Sequence, residues 1–244
     1  MMKRYLITLA FLPGLAMAQT PSAEQIIDQI DKNMASKNRV MLASMVVHGP
    51  RGDRTMEMKT WSEGTSRSFS EYLSPAREKG TKMLKLGDQL WMYAPSADRT
   101  IQISGHMLRQ SVMGSDLSYE DMMDDRKLTD VYDAAVIGPD TFEDRPCWVL
   151  ELRAKTDDVA YFERKMWVDK DRNVPLKEEW YAKSGKLLKQ ITLSDVKRVE
   201  GRWFPMKMNY KDMLKTGSGT DFIINEIQFD ATIPESVFSK AALR

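Results

Sequence analysis

"LLKQITLSDVKRVEGRWFPMKMNYKDMLKTGSGTDFIINEIQF", residues 187–229, contains three long runs, 187–199, 203–214 and 220–229, in which apolar and polar side chains alternate. A period of two is the mark of a pleated strand, whose successive side chains point to opposite faces. Gly217-Ser218-Gly219 supplies the turn before the third run, because glycine accepts the backbone angles that a reversal needs. Long strands that follow one another through short turns make a meander, so this stretch predicts part of one large, curved antiparallel sheet.

The pattern extends upstream through most of the chain. Residues 40–47 and 54–61 pair across the turn Gly49-Pro50-Arg51-Gly52-Asp53, with Met56 and Met58 alternating against Thr55, Glu57 and Lys59. Further strands are expected at 67–73, 81–86, 89–93 and 100–104, the second and third of them joined tightly by Gly87-Asp88. Strand character returns at 134–141, 147–154, 160–168 and 174–181, with turns at 169–173 and 184–186. The expected fold class is mainly β, a curved antiparallel sheet of about 11–13 strands.

Two segments break the alternation. Over residues 22–34, Ala23, Ile26, Ile27, Ile30 and Met34 recur at helical spacing, Ser22 and Gln25 form a capping-box pattern, and Pro21 resists extending the helix backwards. Residues 106–130 are rich in Met, Asp and Ser, with a helical hint only near 119–123; such an excursion from a sheet is a lid, a binding loop or a disordered stretch. A curved sheet has a hollow face that must be filled or covered, and these two segments are the covers on offer.

Alternation nominates an inward set: Met56, Met58, Trp91, Trp148, Leu150 and Leu152, then Trp180, Phe204, Met206, Met208 and Tyr210. Met107, Leu108, Met113, Gly114, Ser115 and Asp116, followed by Leu117, Tyr119, Met122 and Met123, form the candidate lid. Trp91 and Tyr93, at a strand end, read equally as the rim of a mouth or as core. Methionine is over-represented, with 18 in the chain and 15 beyond residue 18. Its unbranched thioether repacks around ligands of different shape, although each one taken singly is also an ordinary core plug.

Residues 1–18 have the layout of a secretory signal peptide: Lys3 and Arg4, an apolar stretch over 5–15, and Ala16-Met17-Ala18 as the cleavage site. The apolar stretch is shorter than the roughly 20 residues that span a bilayer and is broken by Pro13 and Gly14. Export to the periplasm and a single domain over 19–244 are therefore expected. No cysteine stands at the cleavage point to carry a lipid anchor, and Cys147, the only cysteine, leaves no intramolecular disulfide and reads as a buried thiol in a strand. With Lys3 and Arg4 removed, 34 basic residues balance 35 acidic ones, which argues against a nucleic-acid partner.

Catalytic and metal patterns are missing. His48 and His106 have neither helical pairing nor cysteine partners for zinc, and the acidic pairs Glu120-Asp121 and Asp124-Asp125 lack the spacing of a calcium loop. Ser115 lacks the Gly-x-Ser-x-Gly frame of a nucleophile elbow. No catalytic residue, metal or cofactor is expected. Asp116 reads as a cap for the helical stretch that follows, and contact of Asp116, Tyr119 and Asp121 with a headgroup or a partner protein is the alternative.

Three stretches carry a resemblance: "SPAREKGTKMLKLGDQLWMYAPSADRTIQIS" at 74–104, "MGSDLSYEDM" at 113–122 and "IPESVFS" at 233–239. Pro75 with Gly80 and Thr81, Trp91 with Tyr93 and Pro95, and Gly114-Ser115-Asp116 stand in the order seen in the outer membrane lipoprotein-sorting family, and the chain resembles these LolA/LolB-like proteins. The resemblance implies an unclosed antiparallel β-barrel around an apolar cavity with a helical lid. It also implies carriage of lipid or lipoprotein acyl chains across the envelope, with transient membrane contact and, in some members, work beside an inner-membrane exporter of the resistance-nodulation-division type. No position here matches the arginine switch of LolA itself. A periplasmic sensor or interaction module of the same fold is the alternative, since fold alone does not decide function.

Overall fold

The computed structural model describes residues 20–124 and 126–244, so the expected leader at 1–18 lies outside the described residues. Ser22 opens helix α1 (Ala23–Met34): its hydroxyl accepts the Gln25 amide at 3.2 Å while the Gln25 side chain accepts the Ser22 amide at 2.9 Å. One meander follows, β1 (Asn38–Val47), β2 (Arg54–Glu63), β3 (Arg67–Ser74), β4 (Lys82–Leu86), β5 (Gln89–Ala94) and β6 (Arg99–Ile103). A non-strand segment then holds α2 (Tyr119–Met123) and α3 (Leu128–Val131). The second meander is β7 (Tyr132–Phe142), β8 (Arg145–Ala154), β9 (Glu163–Asp169), β10 (Pro175–Tyr181), β11 (Leu187–Val199), β12 (Arg202–Asp212) and β13 (Thr220–Phe229).

The two meanders join through a single ladder, β1 against β13, giving a thirteen-stranded antiparallel sheet that runs from β6 through β1 and β13 to β7. Neither β6 nor β7 pairs with the other, and the sheet stays unclosed. At the seam Val47 lies opposite Thr220 and Arg39 opposite Phe229, with a bulge between Leu42 and Ala43.

Each meander is covered by the chain that flanks the other. α1 precedes β1 yet buries Ile26, Ile27 and Ile30 on Leu150, Leu152, Met166 and Val168 of β8 and β9, at roughly 1.5–3 kcal/mol per side chain. Its last turn is tied down by Asn33, whose side chain donates to the Arg172 and Asn173 carbonyls at 2.8 and 3.1 Å and accepts the Trp203 amide at 3.2 Å. The chain after β13 forms 3-10 turns at Glu235–Phe238 and Lys240–Leu243 that lay Phe238 and Leu243 on Phe69, Leu84 and Trp91 of the first meander. Trp91, expected to face inward, therefore stands on the opposite face of the sheet, with the Lys240 ammonium 4.1 Å from its ring. The Gly87-Asp88 hairpin sets this: pairing Leu86 with Gln89 places Leu84 opposite Trp91 and leaves Leu90 and Met92 for the inner face. Cys147 is fully buried in β8, and burial pushes its thiol above the usual range.

The seam is pinned where β1 ends. The His48 amide donates to the Gly219 carbonyl at 3.2 Å, and the His48 ring lies 2.8 Å from Asp53 and 3.2 Å from Asp221. Gly219 has φ +95°, and a Cβ there would lie 2.5 Å from the Tyr210 carbonyl oxygen. Gly219→Ala is expected to lose about 1–3 kcal/mol in urea unfolding, because it adds strain and a backbone clash together. The Asp221 and Asp53 hydrogen bonds raise the pKa of His48 above 6.5. Its contribution to stability is full below that value and fades as pH rises through the folded-state pKa. His48→Gln should flatten this part of the pH–stability profile.

Candidate functional site

A hollow of about 410 Å3 lies against the inner face of the sheet where the two meanders meet. Seven methionines line it, Met34, Met41, Met45, Met58, Met83, Met122 and Met208, with Phe204, Phe222 and Ile224. They converge because β1, β2, β4, β12 and β13 each place a methionine or an aromatic or aliphatic side chain at inward positions of the pleat. Gly64 and Thr65, in the β2–β3 turn, are exposed and line the hollow too, which places its mouth there.

The segment between β6 and β7, the candidate lid, packs against the inner face of the first meander. Met107, Leu108, Met113, Leu117, Met122 and Met123 pack on a buried cluster that includes Met45, Met56, Met58 and Met83. Tyr119 is buried, with its hydroxyl 3.6 Å from the Met92 sulfur. Gly114-Ser115-Asp116 is an anchor. Asp116 accepts the Thr220 hydroxyl at 2.8 Å and the Asp212 amide at 3.0 Å, while the Lys215 ammonium donates to the Ser115 carbonyl at 2.7 Å. Asp116, which the sequence nominates as the cap of the following helix, therefore does not cap α2. Ser118 does so, its hydroxyl accepting the Asp121 amide while Asp121 accepts the Ser118 amide. The carboxylate of Asp116 goes instead to the donors left free at the start of β13 and the end of β12.

Two carboxylates, the buried Asp121 and the exposed Asp124, latch α2 and its C-terminal end to the second meander. Asp121 accepts the Tyr161 hydroxyl at 2.7 Å and forms an ion pair with Lys189 of β11, both members nearly buried. Asp124 accepts the Arg164 guanidinium of β9 at 2.7 Å. Arg164 also lies 4.7 Å from the Trp180 ring centroid and 5.0 Å from that of Tyr132, and it donates to the Tyr132 hydroxyl. Burial opposes charge on Arg164, but Tyr132, Asp124 and Glu178 outweigh it and hold its pKa above the usual value. Burial drives Tyr161 and Glu178 upward, with Asp121 adding to the effect on Tyr161.

Of the residues nominated from sequence, Met58, Trp180, Phe204, Met208 and Tyr210 line the hollow together with Leu117 and Met122 of the lid. Met56 is fully buried beside them, and Met206 packs with Phe204 and Met41. Leu150 and Leu152 are fully buried under α1 and Trp148 is half-buried against the same cluster, and none of the three lines the hollow. Sequence reasoning missed Arg39, Met41, Met45 and Met83, and it missed the latch residues Arg164 and Lys189. A period of two through Arg39, Met41, Ala43 and Met45 would have found the first three inward positions; the predicted strand began one residue too late to include Arg39.

The walls offer thioethers, aromatic rings and hydroxyls, and the two acidic side chains on them, Asp121 and Asp124, are held in ion pairs. Among the described residues no group of His, Cys, Asp and Glu is placed to hold a metal ion, and no helix is long and apolar enough to cross a membrane. The geometry can shelter a small apolar ligand, since about 300–1,000 Å3 is the usual range for ligand pockets.

The model of a family described as "Uncharacterized protein" matches residues 64–244, and the chain belongs to that family. Among solved structures it is similar to a DUF1329 family protein from Desulfovibrio piger, with a TM-score of 0.80 at 24% identity, covering 92% of this chain and 100% of that one. A putative outer membrane lipoprotein-sorting protein domain from Vibrio parahaemolyticus gives 0.77 at 22%, over 91% and 97% of the two chains. A LolA superfamily protein from Nitrosomonas europaea gives 0.75 at 23%, over 91% and 100%. Likeness at this identity establishes the fold, which is LolA-like, as the sequence motifs implied. A search of curated proteins returns no match.

The latch makes a mechanical prediction. Asp121→Asn leaves the Lys189 charge buried without its partner, a change that costs about 3–5 kcal/mol where the surroundings cannot relax. Hydrogen exchange should speed up by tenfold or more across residues 106–124. The β1–β2 amides, which the latch does not touch, should keep their protection.

Proposed function

We propose that this protein is a periplasmic carrier, a single domain over residues 19–244, that shelters a lipid or lipoprotein acyl chain in the methionine-lined hollow and releases it when the lid swings away. The observation that carries this reading is the hollow itself: an apolar, deformable space between two meanders, under a segment fixed by a few polar latches. A hydrocarbon tail leaving a membrane exposes surface worth about 0.8 kcal/mol per methylene, so a carrier must offer comparable burial. It must also let go. Thioethers adapt to the tail without locking it, and a lid held by two ion pairs opens at a cost that a membrane or a partner surface can offset.

The lipoprotein-sorting and LolA superfamily structures share this architecture at low identity, and the anchored Gly-Ser-Asp segment and the closing turn at 233–239 occupy equivalent motif positions in the resemblance read from sequence. The test is native mass spectrometry of gently purified protein. Bound lipid is expected, and Met208→Trp, which places an indole in the hollow, should reduce its occupancy several-fold at a stability cost of about 1–3 kcal/mol. Repeated recovery of empty protein, with no uptake from labelled vesicles, would sink the proposal.

A further inference from the structure

The hollow is not apolar throughout, and its polar groups are ordered. Across the first meander the register places Arg39 opposite Ser62, Ser62 opposite Ser68, and Ser68 opposite Lys85. All four line the hollow. At a strand spacing of about 4.8 Å the row runs about 14 Å from β1 to β4. It lies next to the β2–β3 turn, and so beside the mouth. One step deeper, Met41, Thr60, Ser70 and Met83 form the next row, and there the Thr60 and Ser70 hydroxyls satisfy each other at 3.0 Å. Beyond that stand Met58, Met45 and Phe222. Polarity therefore falls from the mouth inward.

The outer row has unused capacity. Among the described residues Arg39 makes no hydrogen bond or ion pair, although it is half-buried, and the Ser62 and Ser68 hydroxyls make no side-chain hydrogen bond. The other charges on the walls are engaged: Arg67 with Glu63 and Glu235, Asp121 with Lys189, Asp124 with Arg164, and Lys85 with the Thr65 and Met123 carbonyls. Burial lowers the pKa of the Arg39 guanidinium, with Tyr210 opposing, which is the situation of a cation short of a counter-charge. A half-buried guanidinium beside two free hydroxyls, at the polar end of an apolar hollow, matches the head of an amphiphile with one negative charge.

The geometry points to Arg39, Ser62 and Ser68 as an anion-binding row that holds the carboxylate or phosphate headgroup of a single-chain amphiphile, with the tail in the methionine-lined hollow; this rests on the carrier reading and gives its ligand a charge and an orientation. The guanidinium fork takes two oxygens of the headgroup, and the serine hydroxyls donate to the same group from the neighbouring strands.

The test is titration calorimetry with dodecanoate and dodecyl phosphate, kept below their critical micelle concentrations, and dodecanol, kept below its solubility limit, on the wild-type protein and on Arg39→Gln, Arg39→Lys and Ser62→Ala. Both anionic ligands should bind about tenfold or more tightly than dodecanol. Arg39→Gln should bring them down to the level of dodecanol, Arg39→Lys should restore part of the difference, and Ser62→Ala should remove a smaller share. A larger advantage for dodecyl phosphate assigns the row to phosphate, and a larger one for dodecanoate assigns it to carboxylate. Equal binding of dodecanol and the anionic ligands by the wild type overturns the row but leaves the carrier reading standing. So does anionic binding that is unchanged in both Arg39→Gln and Ser62→Ala; if Arg39→Gln does not fold, Ser62→Ala alone decides. Failure of all three ligands to bind overturns both readings.

Discussion

Everything in this molecule depends on one ladder, the pairing of β1 with β13. Each meander alone is a run of hairpins with a bare apolar face, and only the seam turns the two into one surface wide enough to bend around a hollow. The flanking segments reinforce it reciprocally: α1, from the first half, seals the second, and the turns after β13 seal the back of the first. Neither half could keep its cover if the seam parted. The bulge at Leu42 and the bond from the His48 amide to the Gly219 carbonyl show how tightly the join is specified.

The site inherits two requirements that pull against each other. On the proposed carrier reading, hydrocarbon needs dry walls, yet a lid that covers them has to be fixed without gluing it shut with more hydrocarbon. The structure separates the two tasks in space. Methionine and aromatic side chains make the walls, while Asp116, Asp121 and Asp124 hold the candidate lid at its margins, each carboxylate having at least one donor from a strand. The one buried ion pair among them, Asp121 with Lys189, contributes little net stability but enforces one geometry, and withdrawing either partner strands the other charge.

Much of the fold was legible in the sequence because its signals are local. The period of two, the Gly87-Asp88 and Gly217-Ser218-Gly219 turns, and the Ser22–Gln25 capping box each act within a few residues, and the structure places elements where those signals stand. The site was less legible because it is assembled across strands. Alternation separates two faces without saying which is hollow; Trp91 alternates as well as Met92 does, and only the tail that folds back over it makes its side the outer one. Leu150 and Leu152 face inward as the pattern asks, but whether such a residue lines a space or plugs it depends on α1, more than a hundred residues away in sequence. The latch was invisible for the same reason, since nothing near Asp121 marks Lys189 as its partner.

The seam also sets an order of events for the newly made chain. Every strand pairing except one joins neighbours in sequence and closes over a short loop, so hairpins can zip up as the polypeptide emerges. The exception links residues 39–47 with 220–229, and its loop-closure entropy must be met last and in one step. Until then β1 is an unprotected edge beside a row of methionines, a sticky template for any extended peptide nearby. A chain with this topology should rely on a holdase more during that wait than at any later time.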